Sequence, residues 1–292
     1  MPKFYILIWA AVMAVGSPTF ANSGSGCAAT IMGEEGHRKA AQMTAQVVDY
    51  LDHSGAQVAL LGRAGSASPR QRFKAKVGFW DYTHAGLVYR HHPDGEWTVV
   101  HLLNICNEES GVFAESLLKF YLDDPFEYRT VVAIPAPALQ QALHNLIIDK
   151  NVAAAYRNHS VYSSISYPYT LERQNSNEYI LDTLAGALAL MDGKTLLTRQ
   201  EAKDYFLTAH RDDFEPEILK TGFFESIGAS MGFGPGNATL SDHTSAERRA
   251  GRFEFVSVGA LTQFMDNLGL LQTAEELALP DMSQAKDTRK EE

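Results

Sequence analysis

The apolar positions near the start of the chain predict a helix followed by a buried strand. Apolar residues recur at helical spacing over residues 34–53, and Gly55 supplies a stop signal. The short apolar run over residues 57–61 has the length of a buried strand. The stretch 62–73 is polar and contains Gly, Ser, Pro and Arg, which is typical of a loop.

A β-hairpin is the clearest element of the sequence. Residues 85–89 and 97–103 have strand character, and the turn segment His-Pro-Asp-Gly over 92–95 separates them. The elements predicted after this hairpin are a helix over 111–122, a strand over 128–134, a helix over 137–148, an aromatic and serine-rich loop over 156–174 and an amphipathic helix over 175–191.

The character of the chain changes after residue 192. The segment beyond it predicts helices over 198–208, 214–227 and 260–268, a Gly-rich loop over 231–237 and a short strand over 253–258. We therefore expect an α+β body over residues 22–192, a mostly helical extension packed on it over 193–278, and a charged, disordered tail over 279–292. The body is expected to pack a small antiparallel sheet on helices.

Residues 1–21 are predicted to be a cleaved secretory signal peptide. Lys3 precedes an apolar run from Phe4 to Gly16, and a Ser-Pro break and Ala21 follow it. The run is shorter than the roughly 20 apolar residues of a transmembrane helix. We expect the mature chain to be periplasmic or secreted in a bacterium, without an integral membrane span, and a retained anchor is the alternative.

Charge and cysteine content narrow the classes of partner and the redox setting. The formal charge of −10 and the pI near 5.5 argue against nucleic acid and anionic membrane surfaces. Cys27 and Cys106 are the two cysteines that remain after cleavage. In an oxidising compartment we expect them to form one disulfide, with two free thiols as the alternative.

Three residues supply candidate chemistry: His84 at the start of a strand, His101 on the partner strand, and Ser176 in the first turn of a helix. An Asp94-Gly95 turn would bring His84 near Ile105 and put both histidines on one face of the hairpin. A helix N-terminus favours an oxyanion, one histidine serves as base, and a second polar group orients it. These are the parts of nucleophilic acyl transfer.

The same segments resemble a known family. The strand His84-Ala85-Gly86-Leu87, a turn and a second strand with His101 resemble the NlpC-type cell-wall peptidases of the papain-like superfamily. In that family the nucleophile helix precedes the hairpin, whereas the candidate helix follows it here. The segment Asn175-Ser176-Asn177-Glu178-Tyr179 resembles the Asn-Cys-Ser-Glu-Phe pattern of the circularly permuted branch. The resemblance covers residues 56–190, and the whole chain also resembles exported bacterial proteins grouped as a domain of unknown function.

The resemblance implies a permuted papain-like core with Ser176 at the nucleophile position, His84 as base and His101 as the orienting residue. The residues expected to contact the substrate are Asn175, Asn177, Tyr82 and Tyr167. The function implied is hydrolysis of amide or ester bonds of a cell-envelope small molecule or peptide, without a cofactor or metal. Because a serine hydroxyl is harder to deprotonate than a thiol, the alternative is an inactive relative that binds an envelope peptide, glycan or lipid in the same cleft.

Simpler interpretations of these residues stay open. Asn175 and Glu178 have the spacing of a helix cap, in which Ser176 is only a first-turn residue. The two histidines with Asp81 would suit zinc, although no tight ligand spacing supports such a site. The tyrosines of the 156–174 loop either pack over the core or line a cleft.

Overall fold

A six-stranded antiparallel sheet with helices on both faces forms the centre of the molecule. The computed structural model describes residues 33–64, 82–92, 95–106, 109–123, 127–157, 162–220 and 239–279. The predicted signal peptide, Cys27, the side chain of Cys106, the 231–237 loop and residues 280–292 lie outside this description. The proposed disulfide and the export signal therefore stay predictions.

The main sheet is built from strands that are far apart in the sequence. Its strands are β1 (Val58–Arg63), β2 (His84–His92), β3 (Gly95–Cys106), β4 (Glu109–Ser116), β5 (Arg129–Pro135) and β8 (Leu271–Ala278). They lie in the order β4-β3-β2-β1-β5-β8. A separate two-stranded sheet pairs β6 (Glu217–Lys220) with β7 (Arg252–Phe255).

Helices lie close to the predicted ones at 34–53, 137–148, 175–191, 198–208 and 260–268, and the structure adds two short helices that the sequence pattern does not predict, at 150–155 and 245–250. The helices are α1 (Glu34–Ser54), α2 (Leu117–Leu122), α3 (Pro137–Ile147), α4 (Lys150–Ala155), α5 (Ser176–Met191), α6 (Arg199–Tyr205), α7 (Ser245–Ala250) and α8 (Val258–Asn267). The α1 helix ends as predicted at Gly55, which adopts the left-handed conformation that glycine tolerates. The α5 helix is buried on nearly all sides, so it forms the centre of the core on one face of the sheet.

Alternation along β2 separates the two faces of the sheet. Ala85, Leu87 and Tyr89 pack in the core that contains α3, α5 and α8. Val88 packs in the core on the opposite face, which contains α1 and Phe120 of α2. Because side chains alternate along a strand, His84 and Gly86 belong to the α2 face.

The predicted hairpin is present, with a register two residues away from the one expected. His92 pairs with Gly95, whereas the predicted turn would have paired Pro93 with Glu96. A shift of two residues preserves the side-chain face. His84 and His101 therefore share a face, as predicted.

Two predicted elements differ from the structure. The segment predicted as a helix over 111–122 is helical only from Leu117, because its first part pairs with β3 as strand β4. Residues 217–220 of the predicted helix over 214–227 form strand β6, whereas residues 221–227 lie outside the described ranges, and β8 is not predicted by the sequence pattern. The expectation of a mostly helical extension over 193–278 thus misses two strands, β6 and β8. Their pairing partners are distant in sequence, so a local pattern of residues does not predict them.

Candidate active site

His84 is buried between the sheet and α2. It is the first residue of β2 and stands directly opposite Arg63, the last residue of β1. Only 6% of His84 and 2% of Arg63 are exposed. The Phe120 ring covers both, with its centroid 5.9 Å from the His84 ring and 4.8 Å from the Arg63 guanidinium.

A chain of hydrogen bonds runs from His84 across the next two strands. Nε2 of His84 lies 2.8 Å from Nδ1 of His101 on β3. Nε2 of His101 lies 3.2 Å from Oε2 of Glu115 on β4. The register of β3 and β4 pairs Glu115 with Val99, which is two residues from His101 on the same face.

Burial controls the charge of these groups. It lowers the pKa of His84 well below the ordinary histidine value, and the positive charge of Arg63 acts in the same direction. Burial also lowers the pKa of His101, against the effect of its hydrogen bond to Glu115. Although burial raises the pKa of Glu115, the hydrogen bond from His101 and the nearby cations leave it below its usual range. Two neutral histidines and an ionised carboxylate are therefore the resting charge state near neutral pH.

Ser176 occupies the first turn of α5 and is almost fully buried, with 2% exposed. Asn175 is the N-cap, as predicted, and its side chain accepts the Glu178 N–H at 2.8 Å. Tyr162 lies beside Ser176, whose hydroxyl and backbone both act on the Tyr162 phenol. Burial raises the pKa of Tyr162 to about 12, so the phenol is neutral.

Ser176 and His84 do not approach the sheet from the same face. The His84 ring packs against Phe120, whereas α5 packs on the opposite face against Ala85 and Leu87. Among the residues that the structure describes, no hydrogen bond joins Ser176 to either histidine. The charge of Arg63 acts on the pKa values of both His84 and Tyr162.

The predicted substrate-contacting residues are mainly engaged within the protein. Asn175 donates to the Ser164 carbonyl at 3.2 Å, and Asn177 donates to the Val256 carbonyl at 3.0 Å. Tyr82 is buried and donates its hydroxyl to Glu276. Tyr167 is half-buried, and its ring packs against Tyr169 and His243. Of the four, Tyr167 offers the most accessible side chain.

A buried charge cluster lies just behind the first turn of α5. Glu178 and Asp182 of this helix face Arg199 and Lys203 of α6, with four nitrogen–oxygen distances of 2.7 to 2.9 Å. Glu178 also accepts from Ser166 at 2.5 Å. The predicted capping contact of the Glu178 side chain is therefore replaced by ion pairs, since the carboxylate is turned into this cluster.

The cluster also holds the loop that carries Tyr162. Arg199 donates to the carbonyls of Leu171 and Arg173, and Lys203 donates to the carbonyl of Pro168. At the end of the loop, the Gln174 carbonyl accepts the N–H of Ser163, the neighbour of Tyr162. These contacts fix the loop against the core, which agrees with the interpretation that its tyrosines pack over the core.

The described residues hold no group of metal ligands at the histidine pair, and the cavity that the structure shows lies elsewhere. Asp81 lies outside the described residues, and within them no three His, Cys, Asp or Glu side chains form a group suited to a metal ion. A cavity of about 490 Å³ lies at the beginning of β1, at the opposite end of that strand from Arg63. Four glutamines, Gln57, Gln140, Gln141 and Gln272, are among the residues that line it.

Sequence reasoning missed Arg63, Glu115 and the role of Tyr162. Glu115 fell inside a segment predicted to be helical, so no pattern related it to His101. The composition around Arg63 predicts a polar loop, although Arg63 is the last residue of β1. The pairing of β1 with β2 brings Arg63 to His84, and the pairing of β3 with β4 brings Glu115 to His101.

The fold and the site define a mixed α+β protein with an antiparallel sheet packed against helices and a buried histidine pair. The family model described as "Uncharacterized protein conserved in bacteria (DUF2145)" matches residues 50–265, and the chain belongs to this family. Comparison with curated proteins and with solved structures yields no match. Across the described ranges, no helix has both the length and the apolar character needed to cross a membrane.

Proposed function

We propose that the protein is a hydrolase of amide or ester bonds of a small molecule or peptide in the bacterial cell envelope. Ser176 is the nucleophile, His84 is the base, and His101 orients the base within a permuted papain-like core. The observation that carries the proposal is the buried 2.8 Å contact between His84 Nε2 and His101 Nδ1. With Nε2 engaged, Nδ1 of His84 is the atom left to accept a proton from a nucleophile.

The reaction proceeds in two stages, formation of an acyl-enzyme and its hydrolysis. The Ser176 oxygen attacks the carbonyl carbon of the substrate and its proton passes to His84 Nδ1, while the N-terminus of α5 stabilises the oxyanion. His84 then gives this proton to the leaving amine or alcohol, which forms the acyl-enzyme. A water molecule, deprotonated by His84, hydrolyses the acyl-enzyme and restores Ser176. In the structure these two side chains belong to opposite faces of the sheet, so the attack requires a rearrangement that brings the Ser176 hydroxyl to His84.

Covalent labelling with a serine-directed fluorophosphonate tests this proposal. We expect the wild type to gain one adduct, which peptide mass mapping assigns to Ser176. Ser176→Ala should abolish the adduct, and His84→Gln should slow labelling by about 100-fold or more, the size of a general-base contribution. Ser245, which is also the first residue of a helix, supplies the matched control: Ser245→Ala should label at the wild-type rate.

The proposal fails if Ser176 stays unlabelled in a folded wild type, or if labelling does not depend on His84. Such a result would favour the second function, an inactive relative that binds an envelope peptide, glycan or lipid. The burial of Ser176 favours that function, because a buried hydroxyl has little access to a substrate. An inert wild type combined with a Ser176→Cys variant that hydrolyses p-nitrophenyl acetate would show that only the nucleophile is missing.

A further inference from the structure

We infer that Glu115 is a positioning residue that determines, through His101, which ring nitrogen of His84 is basic. The role of this residue in turnover rests on the proposed function, whereas the assignment of the tautomer does not. The three side chains come from adjacent strands, β2, β3 and β4, so the sheet itself sets their spacing.

The direction of each hydrogen bond follows from the carboxylate. An ionised Glu115 can only accept, so Nε2 of His101, at 3.2 Å, carries a hydrogen. A neutral imidazole has one N–H, and therefore Nδ1 of His101 is an acceptor. Nε2 of His84, at 2.8 Å from that atom, must then donate. The only nitrogen of His84 that keeps a lone pair is Nδ1.

The charged groups around His84, His101 and Glu115 favour two neutral histidines and an ionised carboxylate. Arg63 of β1 opposes protonation of both histidines. Lys119 of α2 has its ammonium 4.0 Å from Glu115, and Asp123, which follows α2, acts on His101 in the opposite direction to Arg63. The hydrogen bond from His101, with Lys119 and Arg63, keeps the pKa of Glu115 below its usual range, and burial together with Arg63 lowers the pKa of both histidines.

Removal of the Glu115 carboxylate would allow the hydrogen bond between His101 and His84 to reverse its direction. His101 would then be able to place its hydrogen on Nδ1 and donate to Nε2 of His84. His84 would in turn carry its hydrogen on Nδ1, the position where a base must have a lone pair. A histidine in the wrong tautomer cannot accept the proton of a nucleophile, although its position is unchanged.

The tautomer can be measured without any substrate. In ¹⁵N-labelled full-length protein at pH 7.5, long-range ¹H–¹⁵N spectra distinguish a protonated from an unprotonated ring nitrogen. We expect an unprotonated Nδ1 and a protonated Nε2 for His84 in the wild type, and a shift towards a protonated Nδ1 in Glu115→Leu. Glu115→Gln keeps an acceptor oxygen and should give an intermediate population. Glu109→Leu, a change at an exposed glutamate of the same strand, should leave the spectrum unchanged.

Fluorophosphonate labelling links the tautomer to the reaction. We expect Glu115→Leu to slow labelling by about 100-fold, the size of a general-base contribution, with partial recovery in Glu115→Gln. A wild-type His84 with a protonated Nδ1, or a Glu115→Leu variant whose His84 tautomer is unchanged from the wild type, would overturn the inference. If Glu115→Leu does not fold, Glu115→Gln alone decides it. A tautomer shift in a protein that is never labelled would refute the proposed function and leave the role of Glu115 intact.

Discussion

Burial decides the charge of His84 and thereby its chemistry. An exposed histidine would be partly charged near pH 6.5, but the ring between Arg63 and Phe120 is kept neutral. A neutral ring can accept a proton, which a charged ring cannot. The same burial makes the native state sensitive to acid.

We predict that protein stability falls as the pH is lowered below about 6.5, because His84 and His101 take up protons more readily in the unfolded chain. The contribution is fully present above that pH, and each proton accounts for at most about 1.4 kcal/mol per pH unit. Urea denaturation at pH 5, 6, 7 and 8 measures the slope, which should be shallower in His84→Gln.

His53 provides the control for this experiment. It is exposed, and its pKa is raised by a hydrogen bond to the Asp49 carbonyl and by the Asp49 charge, so its effect on stability has the opposite sign. His53→Gln should therefore not flatten the loss of stability towards acid pH. Equal slopes for His84→Gln and the wild type would contradict the prediction.

At the scale of elements, close packing explains why a glycine, Gly86, lies two residues after His84. A Cβ at this position would lie 2.5 Å from Val99 Cγ1 and 3.3 Å from the Phe120 ring. The absence of a side chain lets α2 approach β2 and β3 closely enough for Phe120 to cover both histidines. The His-x-Gly pattern thus has a packing reason in this protein.

We predict that Gly86→Ala lowers the free energy of unfolding by about 1–3 kcal/mol, since a methyl group would overpack the site. Gly95→Ala is the matched control in the same hairpin, because the nearest atom to its added Cβ would be Thr98 Oγ1 at 3.7 Å, an ordinary contact. Chemical denaturation of both variants measures the difference. Equal stability of the two variants would show that α2 adjusts without cost.

At the scale of the whole molecule, the buried cluster connects α5, α6 and the loop of Tyr162. Two carboxylates and two cations balance one another away from water, and the cations also bind loop carbonyls. Such a group stabilises poorly compared with apolar packing, but the removal of one member leaves a buried charge uncompensated. Because Glu178 and Asp182 lie on the same helix as Ser176, these ion pairs also hold Ser176 in place.

We predict that Lys203→Met destabilises the protein by about 3–5 kcal/mol, because Glu178 and Asp182 then share a single cation. Lys39→Met is the control: Lys39 pairs with Glu35 at 3.6 Å on the surface, where an ion pair contributes about 0–1 kcal/mol. Thermal and urea denaturation give both values. A Lys203→Met loss as small as that of Lys39→Met would mean that the carboxylates are compensated by other groups.

The sequence by itself determined the elements whose signals are local. The α1 and α5 helices, the caps at Asn175 and Gly55 and the β2–β3 hairpin follow from periodicity and turn chemistry within about 20 residues. The shared face of His84 and His101 was also predictable, because the period of a strand survives a register error of two residues.

Only the tertiary structure decided which residues complete the site. Arg63 reaches His84 through the pairing of β1 with β2, and Glu115 reaches His101 through a strand that local patterning assigned to a helix. Tyr162 meets Ser176 because a buried ion cluster holds its loop. Long-range pairing and charge compensation depend on partners far along the chain, so no local pattern of residues encodes them.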